Sequence, residues 1–208
     1  MFTASLALLT IVMGYLTGSL CSAVVICRLF ALPDPRLEGS KNPGATNVLR
    51  LAGKKYAILV LLADVLKGVL PVLGAKLLGV SDVVVGYTCL AAVLGHVYPL
   101  FFEFKGGKGV ATALGVLLAF HYIPGLFVVL TWLVVAILSR YSSLASLISI
   151  SCAPIYFFIA TDQPATCVPL ILIALLIIYK HRSNISRLRH GQEPHINVSQ
   201  KHKKKCDA

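Results

Sequence analysis

The sequence predicts an all-α integral membrane protein of seven transmembrane helices, some short or broken. Three observations carry that prediction. Of 208 residues, 57% are apolar and only 13% charged, outside the range of a soluble domain. The apolar residues fall into seven runs separated by short polar connections. Lysine and arginine, which give the chain a formal charge of +11, sit in alternate connections and at the C-terminal end. In a soluble chain that charge would suggest nucleic acid; distributed this way it is a topology signal.

The first run, Thr3–Leu29, has no basic segment before it and stays apolar too long for a cleaved signal, so it reads as a span. The second, Tyr56–Leu78, contains Asp64 and Lys67 three residues apart on one helix side. A carboxylate and an ammonium in lipid are costly unless paired, so a structural pair is the simpler reading and a proton path the sharper one. Lys67-Gly68 followed by Pro71 also suits close packing and a bend. In the third run, Val83–Phe102, His96 precedes Tyr98-Pro99 and either lines a site or caps the span. The fourth, Val110–Phe120, falls well short of the roughly 20 residues that cross a hydrocarbon core. It is either a sheltered half-span or part of one broken helix with the fifth run, Ile123–Leu138. Ser143–Ala160 and Ala165–Tyr179 complete the set. Cys21, Cys27, Cys89, Cys152 and Cys167 lie inside apolar runs without metal-motif spacing and read as small core residues.

With seven spans, Arg36, Lys41, Arg50, Lys54 and Lys55, then Lys105 and Lys108, then Arg140, and finally the C-terminal basic residues all fall on one side. The positive-inside rule makes that side cytoplasmic, with the N-terminus outside. Residues 1–195 then form one transmembrane domain, and 196–208 a basic, unstructured cytoplasmic tail. The sequons Asn184-Ile185-Ser186 and Asn197-Val198-Ser199 face the cytoplasm and are discounted, and His202 to Asp207 matches an acyltransferase pattern by chance.

Polar, glycine-rich segments at a membrane surface call for a functional explanation. Gly106, Gly107 and Gly109, with Lys105 and Lys108, precede the Val110 helix, whose free N–H groups and dipole favour an anion. No Walker A pattern occurs. In the first loop Pro43-Gly44 marks a turn, and Ser40, Asn42, Thr46 and Asn47 offer neutral hydrogen-bonding groups suited to a polyol or phosphate ester, with Arg50 one turn further. Helix capping by Thr46 or Asn47 is expected alongside. After the last span, His181, Asn184, Ile185 and Leu188 share a helix face, so the first two can point into a site; a basic helix lying on anionic lipid is the plainer alternative. Glu193 stands ready to tie this segment to a basic loop.

The strings Gly-Ser-Lys-Asn-Pro-Gly-Ala-Thr-Asn-Val-Leu-Arg at 39–50, Gly-His-Val-Tyr-Pro at 95–99 running into Phe-Lys-Gly-Gly-Lys-Gly-Val-Ala-Thr at 104–112, and His-Arg-Ser-Asn-Ile-Ser-Arg-Leu at 181–188 closely resemble the acyl-phosphate-dependent glycerol-3-phosphate acyltransferases of bacterial inner membranes. The resemblance implies transfer of a fatty acyl group from acyl phosphate to the 1-hydroxyl of glycerol 3-phosphate, giving lysophosphatidic acid and inorganic phosphate. This is the first step of phospholipid biosynthesis. It implies no cofactor, no metal and no acyl-coenzyme A, a membrane-lipid setting, transient contact with the soluble enzyme that makes acyl phosphate, and no nucleic acid. Carried over by position, Ser40, Arg50, Lys108, His181 and Asn184 would be catalytic. Lys41, Asn42, Gly44, Thr46, Asn47, Gly106, Gly107 and Ser143 would bind substrate. Lys41 stands where many members have glycine. Either His181 or a substrate phosphate oxygen would take the hydroxyl proton. An anion transporter is the alternative of another class, but transporter sites usually sit at the midplane between repeats, whereas these motifs face one side and no repeat is visible.

Overall fold

A computed structural model describes residues 2–196, and their regular structure is entirely helical. The basic segment from 197 onward, with the second sequon and the Lys203–Lys205 run, lies outside the described residues. Helix α1 (Phe2–Gly18) and α2 (Ser22–Leu29) replace the single first span, with a 42° bend between them. At the break the Ser19 N–H and the Ser19 hydroxyl both donate to the Tyr15 carbonyl, at 2.9 and 2.8 Å, a shared acceptor of the kind that bends helices. Short α3 (Ala45–Ala52) lies in the first loop and leads through Gly53 into α4 (Lys54–Leu77). Then come α5 (Asp82–Val97), α6 (Val110–Phe120), α7 (Tyr122–Ser139), α8 (Ser142–Thr161), α9 (Pro164–Lys180) and α10 (Arg182–Arg189), the last bent 59° from α9.

Four helices among the described residues are long and apolar enough to cross a membrane alone, and six spans result if each bent pair counts as one. A seventh requires α6, whose 11 residues rise about 16 Å, half the hydrocarbon thickness. His121, in extended conformation, separates α6 from α7, and the two helices pack together as a hairpin. Helix α6 is thus a separate helix of half-span length, with the break from α7 at His121. The C-terminal carbonyls of α6, which would be orphaned in lipid, receive the Lys76 ammonium: Nζ donates to Phe120 O at 2.9 Å.

Helix α5 is the centre of the bundle, packed by α1, α4, α6 and α9. Backbone-to-backbone contact holds it there. A Cβ at Gly18 would lie 2.1 Å from the Ala92 carbonyl oxygen, and one at Gly95 would lie 2.2 Å from that of Tyr15. Helix α6 docks on α4 in the same way, through Gly115 against Val65 and Gly68 against Thr112. Lipid supplies no hydrophobic drive between helices, so this close van der Waals approach carries the association. The core of Val72, Val93, Val116, Phe120, Phe157 and Ile173 spans α4 to α9, with Phe120 and Phe157 stacked at 5.4 Å. Leucines such as Leu77 and Leu138 stay exposed on the perimeter, where lipid is the solvent.

Because the atom met at Gly18 is backbone that cannot swing aside, Gly18→Val is expected to lower stability by about 2–3 kcal/mol, read as thermal unfolding in detergent. Gly74, on the same bundle with nothing within 4 Å of its would-be Cβ, is the control. Gly74→Ala should stay within about 1 kcal/mol of the parent, on the stabilising side.

Candidate active site

The three polar motifs meet around one cavity of about 420 Å³, bounded by the 40–50 segment, α4, the start of α6, α7, the start of α8, α10 and residues 193–196. One end is polar and cationic, with Ser40, Arg50, Lys108, His181, Asn184 and Arg187. The other is apolar, formed by Leu61, Leu62 and Val65 of α4, Leu114 and Leu118 of α6, and Val129, Trp132 and Leu133 of α7.

The first loop is organised from within by Asn47. Its Oδ1 accepts the Ser40 N–H at 2.9 Å, and its Nδ2 donates to Pro35 O at 2.9 Å and Glu38 O at 3.0 Å. These bonds fix the approach of Ser40 to the cavity. The expected capping by Thr46 or Asn47 does not occur: Gly44 occupies the N-cap of α3 with no side-chain cap, since the Asn47 amide is committed to the loop. Asn42, Gly44, Thr46, Asn47 and Arg50 all line the cavity. Lys41 does not; it is exposed, at φ +55°.

In the second motif, Lys105 turns to Glu103 at 2.7 Å in an exposed pair, and only Lys108 reaches the cavity. Gly109 sits at φ +88°, a left-handed position that glycine takes without strain. Residues Lys108 to Ala111 line the cavity, so the first turn of α6, with its free N–H groups, opens into it. Gly106 and Gly107 lie behind, against His96. A Cβ on Gly106 would fall 2.0 Å from the His96 carbonyl oxygen, and one on Gly107 would fall 2.2 Å from His96 Nε2.

The third motif begins at the bend beyond α9. His181 and Asn184 are both buried and both face the cavity, as their shared helix face predicts. The Asn184 side chain joins two charges: its Oδ1 accepts from Lys108 Nζ, and its Nδ2 donates to Glu193 Oε1 at 2.6 Å. Arg187 Nε donates to Glu193 Oε2 at 2.8 Å. Residues 191–196 thereby fold back as a strap over the site, fastened by Ile196 N–H to Arg140 O at 2.9 Å and by Tyr141 stacked on His195 at 4.4 Å. Ser143, buried at the start of α8, faces Glu193 without a well-aligned hydrogen bond of its own.

Burial, with charge crowding behind it, sets the protonation states. Burial, abetted by Arg187 and Arg50, pushes the Lys108 ammonium down to about 8 despite Glu193. Burial and the neighbouring Lys108 push His181 down to about 4. Its Nδ1 lies 2.8 Å from the Ile177 carbonyl, which can only accept, so Nδ1 carries the proton and Nε2 the lone pair. Burial works against the Glu193 charge, but hydrogen bonds from Asn184 and Arg187, with the Ser143 hydroxyl nearby, hold that carboxyl below its ordinary value. Perturbation of this kind, in a cleft, marks a functional site.

Several lining residues carry no sequence signal. Trp132 walls the apolar end and is tethered by Nε1–H to Ser146 Oγ at 3.1 Å. The apolar α4 and α6 residues are indistinguishable in sequence from lipid-facing ones. Asp64 and His96, weak leads by sequence, both line the cavity. Asp64 pairs with Lys67 at 2.9 Å, the structural pair expected.

A glycerol-3-phosphate acyltransferase family model matches residues 8–191. A glycerol-3-phosphate acyltransferase of Legionella pneumophila (strain Corby) is 57% identical over 192 residues, covering 92% of this chain and 69% of the relative. One of Vibrio campbellii is 51% identical over 192 residues, covering 92% and 94%. Among solved structures, PlsY, an integral membrane glycerol 3-phosphate acyltransferase in its glycerol 3-phosphate form, matches with a TM-score of 0.85 and 46% identity over 91% of this chain and 94% of that one. Its lysophosphatidic acid form matches at 0.83 and 45%, with the same coverage. Three motifs gathered on one cavity, inside a helical membrane bundle matched along nearly its whole length, lead to one assignment: the chain belongs to the glycerol-3-phosphate acyltransferase family.

Proposed function

We propose that this protein transfers a fatty acyl group from acyl phosphate to the 1-hydroxyl of glycerol 3-phosphate, releasing lysophosphatidic acid and inorganic phosphate. The observation that carries the reading is the two-ended cavity: Lys108, Arg50 and Arg187 at one end suit phosphate, and the slot along α4, α6 and α7 continues from them as an apolar sleeve suited to a fatty chain. The site lies on the cytoplasmic side of the bacterial inner membrane, the side to which the basic loops assign it, and residues 1–195 act as one catalytic unit. The acyl phosphate comes from a soluble enzyme in transient contact with this face.

An acyl phosphate is a mixed anhydride with a good leaving group, so no acyl-enzyme nucleophile is needed. The 1-hydroxyl oxygen attacks the acyl carbon, a new ester C–O bond forms, and the anhydride C–O bond to phosphate breaks. Lys108 and Arg50 neutralise the phosphate groups, and Asn184 holds Lys108 in place. His181, pushed to about 4, is too weak a base to hold the proton but presents Nε2 as an acceptor that orients the hydroxyl. The proton passes to the departing phosphate, whose basicity rises as the bond breaks. Ser40, Asn42, Thr46 and Ser143 hold the glycerol and phosphate oxygens.

Purified protein in detergent should form lysophosphatidic acid from palmitoyl phosphate and glycerol 3-phosphate without added metal, and none from palmitoyl-coenzyme A; use of the thioester alone would overturn the donor assignment. Removing the Lys108 charge in Lys108→Met should lower kcat/KM for glycerol 3-phosphate by about 10- to 100-fold, chiefly through KM. Lys108 is cationic below about 8 and loses its proton above it, so kcat/KM for glycerol 3-phosphate should fall as pH rises through that value. In Lys108→Arg, whose guanidinium stays charged, the falling limb should move upward. His181→Ala should lower kcat by about 100-fold with little change in KM; full turnover by that variant would remove His181 from the reaction.

A further inference from the structure

Behind the lysine-glycine loop lies a buried polar cluster that the reaction above does not use. Asp64 and Lys67 of α4, His96 of α5 and Thr112 of α6 meet there, none more than 6% exposed. Lys67 Nζ lies 2.9 Å from Asp64 Oδ1 and donates at 2.7 Å to the Leu20 carbonyl in the α1–α2 break. Asp64 Oδ1 is 3.5 Å from His96 Nδ1, and Thr112 Oγ1 is 3.2 Å from the same nitrogen. A carboxylate and a hydroxyl thus flank Nδ1, which fixes the plane of the ring and points Nε2 the other way.

What stands in front of Nε2 is Gly107. Its would-be Cβ falls 2.2 Å from Nε2 and 3.0 Å from Cε1. The Gly107 N–H also donates to the His96 carbonyl at 3.2 Å, and the Cβ of any residue at 106 would meet that oxygen at 2.0 Å and Pro99 Cδ at 2.6 Å. The loop is therefore moulded round His96, backbone on one side and imidazole on the other. A helix crossing needs no charge for packing; Gly18 and Gly95 pack α1 on α5 without any. Burying a carboxylate, an ammonium and an imidazole carries a desolvation cost that simple packing would avoid. Both Asp64 and His96 border the cavity that Lys108 enters.

We propose that Asp64 and His96 are a positioning pair for the Gly106–Gly109 backbone, and through it for the Lys108 ammonium and the first turn of α6. Lys67 fixes Asp64, and Thr112 holds the ring at the same nitrogen, Nδ1. Residue 107 is glycine because the imidazole fills the space a side chain would take, not because a ligand does. The inference rests on the reading that Lys108 binds the phosphate of the acceptor.

Wild-type activity with palmitoyl phosphate and glycerol 3-phosphate tests that underlying reading by itself; the positioning pair is tested by a double-mutant cycle in the same assay. His96→Ala and Gly107→Ala should each raise KM for glycerol 3-phosphate about tenfold, with KM for palmitoyl phosphate within about twofold of wild type. Combined, they should be no worse than the poorer single variant, because the clash at 107 is with a side chain the first change removes. Gly106→Ala should instead multiply with His96→Ala, since its clash is with the backbone carbonyl and Pro99. Asp64→Asn, of equal volume, gives a second arm that does not depend on His96→Ala folding: a similar rise in KM for glycerol 3-phosphate is expected, with KM for palmitoyl phosphate unchanged. A Gly107→Ala defect that multiplies undiminished in the His96→Ala background overturns the proposal. So does an Asp64→Asn variant that keeps wild-type KM values.

Discussion

Helix α6 is only about half as long as a hydrocarbon core is thick, and much of the structure follows from how both of its ends are satisfied. Hydrocarbon offers no hydrogen bonds, so an 11-residue helix needs partners for the carbonyls at one terminus and the N–H groups at the other. Lys76 meets the carbonyls. The N–H groups open into the cavity, where the positive end of the helix adds to Lys108 and Arg50. Gly115 against Val65 and Gly68 against Thr112 hold α6 so closely to α4 that its position has little freedom. The cationic end of the cavity thus coincides with the N-terminus of a helix too short to span a membrane.

The second constraint is charge balance at that end. Lys108, Arg50 and Arg187 converge where Glu193 is the nearby carboxylate, and Glu193 is held by Asn184 and Arg187 rather than by Lys108 directly. Burial lowers both Lys108 and His181, and the net positive character of the cluster adds to that and suits anions in the cavity. Catalytic acceleration in such a place comes from fixed dipoles and charges that need no rearrangement. The strap at 191–196 is part of this arrangement: Gly191, at φ +65°, turns the chain so that Glu193 reaches back to α10.

The sequence made the site legible where its chemistry is polar and local. Serine, lysine, histidine and asparagine are conspicuous amid leucine, so Ser40, Lys108, His181 and Asn184 stand out, and the structure gathers all four on one cavity. It was opaque where the determinant is a distance between segments. Nothing in Gly106-Gly107 says that the space beside them belongs to His96, ten residues earlier in the chain. Asn47 offers a good capping side chain, yet the demand of the 35–40 loop for hydrogen-bond partners prevails over local propensity. The division of the first span at Ser19–Cys21 escaped although Gly18, Ser19 and Ser22 stand there, since hydropathy averaged over a window does not register a bend. Which leucines face the slot and which face lipid is likewise a question of tertiary position that composition cannot encode.

Leu61, Leu62 and Leu133 border the apolar end of the cavity and are also partly open to the surroundings of the bundle. On the proposed function, an acyl chain lying there would never be fully separated from the bilayer, so its departure would exchange one hydrocarbon contact for another at almost no change in solvation free energy. The polar substrates, by contrast, must shed and regain water at the other end. On the proposed function, traffic through the protein would be split by phase: ions would come and go at the polar end, while the lipid product would diffuse sideways into the sheet it helps to enlarge. The quantity that governs its rebinding is its surface density in that sheet, not its concentration in the surrounding solution.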